Sequence, residues 1–255
     1  MATGTHSHST RVTRFTRDIA IAENAGRTGG ALIAKRGIAQ NEYIQLTEDF
    51  FRKPGAAQNL PWTATKTGTS TNNTVDFGAD AAAGTYVLTH SADSEAQTMR
   101  VDWADQLMIN MSKSPRMECR LKLNTAGATF SADQRLVVGF ASDYNATLDN
   151  VTTNAWFRIE GASLALKVEG DDGTTDTDDQ AAGIAYVDDT YLVLEVDIGS
   201  DLIARFKVDG ATAGSVSLAA LAANTVVQPI VAIQRDAGTE QEVVTIDYID
   251  LTWTR

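Results

Sequence analysis

Hydrophobic and polar residues alternate most strictly in RMECRLKLN, residues 116–124. Met117, Cys119, Leu121 and Leu123 share one parity there, and Arg116, Glu118, Arg120 and Lys122 the other. A period of two sends successive side chains to opposite faces, so this run predicts a strand with one apolar and one wet face. Comparable runs recur from Thr85 onward at RLVVGFAS (135–142), AWFRIEG (155–161), SLALKVEG (163–170), TYLVLEVDI (190–198), LIARFKVDG (202–210), VQPIVAIQR (227–235) and EVVTIDYIDLTW (242–253), with turn residues between them. LAALAAN (218–224) could supply one short helix or helical turn, and no long helical pattern is present. Many strands, short links and no alternation of strand with helix predict an antiparallel sandwich or barrel.

The pattern also predicts one register. A two-residue loop Gly199-Ser200 would put the apolar faces of 190–198 and 202–210 out of phase. A three-residue loop Gly199–Asp201 pairs Ile198 with Leu202, Val196 with Ala204, Leu194 with Phe206 and Leu192 with Val208, and sets Glu195 opposite Arg205 on the outer face. In the last run, Val244, Ile246 and Tyr248 share one parity while Ile249, Leu251 and Trp253 share the other. Either a β-bulge near Tyr248 or a strand buried on both faces accounts for the change.

The first 45 residues look different. Ser, Thr and Arg dominate to position 17, and the Gly/Ala-rich GRTGGALIAKRG follows. So little apolar surface seldom offsets the entropy of ordering. The reading is an extended basic arm over residues 1–45, carrying Arg11, Arg14, Arg17, Arg27, Lys35 and Arg36, ahead of one β domain over 46–255. Ile19, Ile21, Leu32 and Ile33, with Ile38 and Tyr43, suit a partner's groove. Charge sharpens the division. The chain has 21 basic and 33 acidic residues, a formal −12. Residues 1–44 hold six basic and three acidic ones (Asp18, Glu23, Glu42), net +3, which leaves −15 for the remainder. An acidic body repels nucleic acid and anionic membranes, so neither is an expected partner.

Hydrophobic residues make up 43% of the chain, ample for a buried core. The single cysteine, Cys119, excludes an internal disulfide and a cysteine-based zinc site. The opening MATGTHSHSTRVTRFTRD lacks the apolar stretch of a secretory signal, and no run is long enough to span a bilayer; synthesis in a reducing cytoplasm is the expectation. His6 and His8 are two ligands in a tail and do not make a metal site, and His90 is expected at a strand end. No Gly-x-Ser-x-Gly elbow is present, and GRTGGALIAKRG lacks the Gly-Lys-Ser/Thr ending of a phosphate-binding loop.

Three segments carry a resemblance. EDFFRKPGAAQNLPWTATKTGT (48–69), with Phe50, Phe51 and Trp62, resembles the opening of concanavalin A-like lectin/glucanase domains. YLVLEVDIGSDLIARFKVDG resembles their paired strands ending in a valine-aspartate-glycine turn, and TIDYIDLTWTR their closing strand. The resemblance implies an all-β, antiparallel jelly-roll sandwich, here preceded by the extended arm. It says little about function, because this fold hosts lectins, hydrolases and inert structural modules. In its acidic Thr/Ser/Ala-rich body and short arm, the chain is also similar to domains of this type in tailed-phage structural proteins.

Glucanases of this superfamily place Glu-x-Asp-x-Glu, or a variant with one more spacer, on one strand. At Glu195-Val196-Asp197-Ile198-Gly199 the third carboxylate is missing, and Glu195 and Asp197 share their expected face with Arg205 and Lys207. The reading is a solvated face and no catalytic residue. Five aspartates in GDDGTTDTDD (170–179) read as a solvated acidic turn without EF-hand spacing. If Ca²⁺ binds, Asp172, Asp176 and Asp178 are its expected ligands; otherwise no cofactor is expected. Of the four tryptophans, Trp156 alone is expected to be exposed, beside Arg158 and Glu160, as a contact for carbohydrate. The leading expectation is a capsid decoration or cement protein of a virion, made in the host cytoplasm, a homodimer or homotrimer bound to the major capsid protein shell through its arm. A carbohydrate-binding module on a virion is the alternative, and a degenerate glycoside hydrolase a third reading.

Overall fold

The computed structural model describes residues 43–48, 62–77, 84–125, 130, 133–145 and 147–254, together with the backbone of three short strands before them. The chain divides into two units, Met1–Glu42 and Tyr43–Arg255. In the first, β1 (Val12–Phe15) pairs antiparallel with β2 (Ile19–Ala22), and β2 with β3 (Ile33–Ala34). Arg14, Ile19, Ile21 and Ile33 lie on these strands; Arg11, Arg17, Arg27, Leu32, Lys35 and Arg36 lie outside the described residues.

The second unit is a sandwich of two antiparallel sheets. The first contains β4 (Tyr43–Glu48), β6 (Thr74–Phe77), β7 (Tyr86–Thr89), β10 (Arg116–Thr125), β15 (Tyr191–Ile198), β16 (Ile203–Val208), β17 (Ala211–Ser217) and β19 (Glu242–Thr254). Its order is β17-β16-β15-β10-β19-β7-β6, with β4 also paired to β19. The second contains β5 (Thr63–Thr67), β8 (Gln97–Asp102), β9 (Ile109–Asn110), β11 (Gln134–Ala141), β12 (Asn154–Glu160), β13 (Ala165–Asp171), β14 (Asp176–Ala185) and β18 (Val226–Arg235). Its order is β14-β13-β12-β11-β18-β8-β5, with β9 on β18. β4 places Tyr43 opposite Thr254, so pairing with β19 reaches back to residue 43.

The alternation in 116–124 does what its parity requires. Met117, Cys119, Leu121 and Leu123 are buried, and face Phe140, Phe157, Val168 and their neighbours from the second sheet in one continuous core. Phe157 meets Phe206 edge to face across the sandwich at 5.2 Å, worth about 1 kcal/mol beyond area burial. At another point of the core Trp103 packs edge to face against both Trp62 and Trp253. Cys119 sits amid this core, where burial pushes its thiol up, far from the reactive thiolate range. Alkylation of Cys119 is therefore expected only at the rate of global unfolding. Rapid labelling of native protein, followed by mass spectrometry, would contradict that burial.

The β15–β16 hairpin departs from its expected register. Ile198 pairs with Ala204, Val196 with Phe206 and Leu194 with Val208, which leaves a five-residue loop in place of three. The loop holds its shape through Leu202 in the left-handed region (φ 55°), whose N–H donates to Gly199 O, and through Asp201, which accepts from Arg205. Glu195 thus faces Lys207, and Arg205 faces Asp197. The expected bulge is present: Arg120 pairs with Tyr248 and Leu121 with Ile246, so Asp247 is the extra residue and its carboxylate bonds Arg120. LAALAAN forms two successive turns, closed by Leu221 N to Leu218 O and Thr225 N to Ala222 O, and no helix. The acidic stretch from Asp176 is a strand, β14, the end strand of its sheet.

Candidate functional site

The densest chemistry lies on the face of the second sheet that points away from the core. β12 sends Ala155, Phe157 and Ile159 inward, and Asn154, Trp156, Arg158 and Glu160 outward. The parity expected for Trp156 is correct, but its exposure is not: the indole is only 1% exposed. It belongs to a second apolar cluster with Val137, Ala141, Leu148, Val151, Ile230 and Ala232, against which Tyr144 packs. Leu148, Val151 and Tyr144 come from the β11–β12 connection, which folds back over the sheet. Opposite Trp156 on β11 stands Gly139. A Cβ there would lie 2.3 Å from Ala155 O and 2.6 Å from Trp156 Cα, so the close approach requires glycine.

Charge is buried beside this cluster. Trp156 Nε1 donates to Glu169 Oε2 at 2.6 Å, across the β12–β13 pair that sets residue 156 opposite 169. Arg158, 5% exposed, lies between three carboxylates: Asp149 at 2.5 Å, Glu169 at 3.1 Å, and Glu160. Lys167 bridges Glu160 at 2.9 Å and Asp179 at 2.8 Å. Glu169 is 2% exposed, and burial raises its carboxyl to about 7, because one guanidinium divided among three acids does not offset the lost hydration. On β14, burial and the neighbouring Asp178, Asp171 and Asp149 raise Asp176 to about 6.

Both groups bind protons more tightly folded than unfolded, so over about pH 4.5 to 7 the native state holds more protons and stability falls as pH rises. The contribution of Glu169 is on the order of 3 kcal/mol, present below its unfolded value and lost through about pH 7. Urea unfolding at pH 5 and pH 8 is expected to show this loss in the parent chain and a much smaller one in Glu169→Gln. An equal loss in both would exclude Glu169 as its source.

The glucanase-like positions sit on the opposite sheet. Glu195 accepts from Arg116 Nη2 at 2.7 Å and Lys207 Nζ at 2.5 Å; burial opposes its ionisation, but these two cations outweigh it and hold the carboxyl below its usual range. Tyr248 OH donates at 2.6 Å to Glu118, which shares Arg116 with Glu195. This face is a ladder of alternating charge. In the acidic turn, Asp172 accepts backbone N–H bonds from Thr174, Thr175 and Ala220, which engage both its oxygens. It braces the turn, and its carboxylate does not join those of Asp176 and Asp178. Among the described residues, no three His, Cys, Asp or Glu side chains are gathered as a ready metal centre. His90 follows β7 as expected and is buried, its Nδ1 2.6 Å from Glu242 Oε2, while Gln134 donates to the other oxygen of Glu242. Sequence reasoning passed over Asn154, Arg158 and Glu169. Their signal was the parity that Asn154 and Arg158 share with Trp156 along β12, and that Glu169 shares across the next strand, readable only once residue 156 is known to face 169.

The fold matches known structures over most of their length. Mixed-linkage glucan family 16 glycoside hydrolase of Bacteroides ovatus, in complex with a product, aligns over 81% of this chain and 99% of its own, with TM-score 0.58 and 10% identity. The fold is the concanavalin A-like jelly roll. The Emp47p carbohydrate recognition domain shares this jelly roll over 82% of this chain and 94% of its own, with TM-score 0.56 and 13% identity. A protein of unknown function from Shewanella oneidensis MR-1 shares it over 86% and 89%, with TM-score 0.57 and 16% identity. No protein-family model and no curated protein sequence matches the chain. Within this concanavalin-like fold, then, known neighbours include both a sugar-cleaving enzyme and a carbohydrate recognition domain. No described helix is long and apolar enough to cross a membrane.

Proposed function

We propose that this chain is a non-catalytic jelly-roll module that decorates a virion head shell, attached through its basic N-terminal segment with the acidic sandwich outward. The observation that carries the reading is the division of charge: six basic against three acidic residues up to position 42, and 15 against 30 beyond it. A body of that sign disfavours close approach to acidic surfaces, whereas the leading segment suits them. The treatment of the carboxylates supports the same reading. Glu195 is engaged by Arg116 and Lys207, and Asp197 faces Arg205, so neither is poised to protonate or attack a glycosidic bond. Many identical copies on a symmetric shell would multiply a modest individual affinity.

Co-sedimentation with undecorated shells tests the proposal. The parent chain is expected to pellet with shells, and a full-length variant with Arg11, Arg14, Arg17, Arg27, Lys35 and Arg36 changed to Ala is expected to stay in solution. Binding that is unchanged in that variant, or absent in the parent, sinks the reading. A second reading, glycan recognition, is favoured by the fold held in common with the Emp47p carbohydrate recognition domain. The burial of Trp156 weighs against that tryptophan as its sugar platform. Saturable binding on a glycan array, retained in the six-alanine variant, would favour it.

A further inference from the structure

The β11–β12 connection, residues 142–153, lies over the outer face of the second sheet without joining its backbone. Its ends close on each other through Ser142 N–H to Thr153 O at 2.9 Å, and Asn150 N to Thr147 O and Val151 N to Leu148 O close a turn inside it. Among the described residues, no backbone–backbone hydrogen bond runs from the connection to the strands beneath it. Side chains hold it down at three points. Tyr144 OH lies 3.0 Å from Thr98 Oγ1 and donates to Gln234 Oε1 at 3.0 Å, with the Arg100 guanidinium 4.6 Å from its ring centroid. Leu148 and Val151 pack with Trp156, and Asp149 accepts from Arg158 Nη1 at 2.5 Å. Asn145, Thr147, Asn150 and Thr152, between these anchors, are exposed. What the connection covers is held together by the sheet alone: Trp156 bonds Glu169, and Arg158 bonds Glu160 and Glu169, all on β12 and β13. The two units meet at one atom. Arg158 Nη1 serves Asp149 at 2.5 Å and Glu169 at 3.1 Å, so a charge on Glu169 puts a second anion on the nitrogen that holds the connection down.

We propose that residues 142–153 form a strap that lifts off the second sheet while the sandwich stays folded, and that the charge on Glu169 sets how often it lifts. A segment tied by a few side chains and no sheet ladder opens at a lower free energy than the domain as a whole. With the strap down, burial raises the Glu169 carboxyl to about 7. Lifting the strap readmits water to that carboxyl and lowers the value. The closed form therefore holds more protons, and a rise in pH through neutrality favours the open one. The other charged groups on the strands around Glu169 are Glu160 on β12, Lys167 and Asp171 on β13, and Asp176, Asp178 and Asp179 on β14. Lys167 is committed to Glu160 and Asp179, so it does not relieve the competition at Arg158. Asp176, held at about 6 by its burial and by neighbouring acids that include Asp149, acts in the same direction as Glu169. The strap depends on neither reading of the function.

The test is the rate at which limiting N-bromosuccinimide oxidises Trp156 in the native full chain, mapped by peptide mass spectrometry and divided by the rate of N-acetyltryptophanamide at the same pH. Alkylation of Cys119, scaled in the same way to free cysteine, reports global unfolding. At pH 8 the scaled rate of Trp156 is expected to exceed that of Cys119 about tenfold or more. In low urea it changes little, whereas the Cys119 rate climbs steeply, because global unfolding exposes far more surface. Leu121→Ala, in the main core, raises the Cys119 rate and leaves that of Trp156 within about twofold. Asp149→Ala, at an exposed position, raises the Trp156 rate about fivefold or more at pH 5.5, where Arg158 relies on Asp149 most. The parent Trp156 rate falls about fivefold or more from pH 8 to pH 5.5, and most of that difference disappears in Glu169→Gln. Trp156 and Cys119 rates that coincide, and rise together in urea and in Leu121→Ala, overturn the strap. A Trp156 rate unmoved by Asp149→Ala, or a pH response kept in full by Glu169→Gln, overturns the control of its opening by the charge on Glu169.

Discussion

Gly139→Val is expected to leave no stably folded sandwich, or one weakened by about 3 kcal/mol or more, the upper range for overpacking a well-filled interior. The added branches would begin 2.3 Å from Ala155 O and 2.8 Å from Trp156 Cβ, so relief has to come from backbone and not from a flexible side-chain end. Gly139 is in the middle of β11, paired to β12 on one side and to Ile230 of β18 on the other, so neither neighbouring strand can move away. Gly139→Ala is the milder probe. Equilibrium urea unfolding of both variants checks the expectation, and a native-like midpoint for Gly139→Ala would show that Trp156 can be displaced freely.

Arg158→Leu should cost about 3–5 kcal/mol near pH 8, the usual result of removing one partner from a buried ion group. The loss is expected to centre on Glu169, since Asp149 is more than half exposed and can regain water. Because Glu169 takes up a proton near 7, the same substitution is expected to cost distinctly less at pH 5, where the stranded acid is neutral. Adding Glu169→Leu to Arg158→Leu should restore much of the stability at pH 8. Denaturant midpoints for the two single variants and the double one, at both pH values, form the cycle that decides it. Equal losses at the two pH values would mean that packing of the guanidinium, and not its charge, is what Arg158 supplies.

Period two made the sandwich readable. It fixes which side of β10, β15 and β16 is buried, and those faces are as expected. It is blind to even shifts, though: sliding β16 by two residues keeps every apolar residue inward, so the pattern alone could not separate a three-residue loop from the five-residue loop observed. The deciding features were local, a left-handed Leu202 and the Asp201–Arg205 bond, and neither leaves a hydrophobic signature. β14 was missed because an end strand of alternating Asp and small residues has little apolar face to announce it. Trp156 was misplaced for the opposite reason. Its parity was legible, but the connection that covers it is aperiodic, and Leu148 and Val151 gave no sign that they would fold back onto the sheet. Glu169 was missed because it lies 13 positions from Trp156, and only the register makes them neighbours.

The pairing of β4 with the last half of β19 has a mechanical consequence. Six residue pairs join the two, and the first residue of β4 stands opposite the next-to-last residue of the chain. Tension applied between residues 43 and 254 would open these pairs one after another, like a zip. Tension applied between residue 43 and the far end of the sandwich would load all six in shear, and resist a much larger force before rupture. The direction of pull, more than the number of bonds, therefore decides how firmly the jelly roll is held by whatever precedes it.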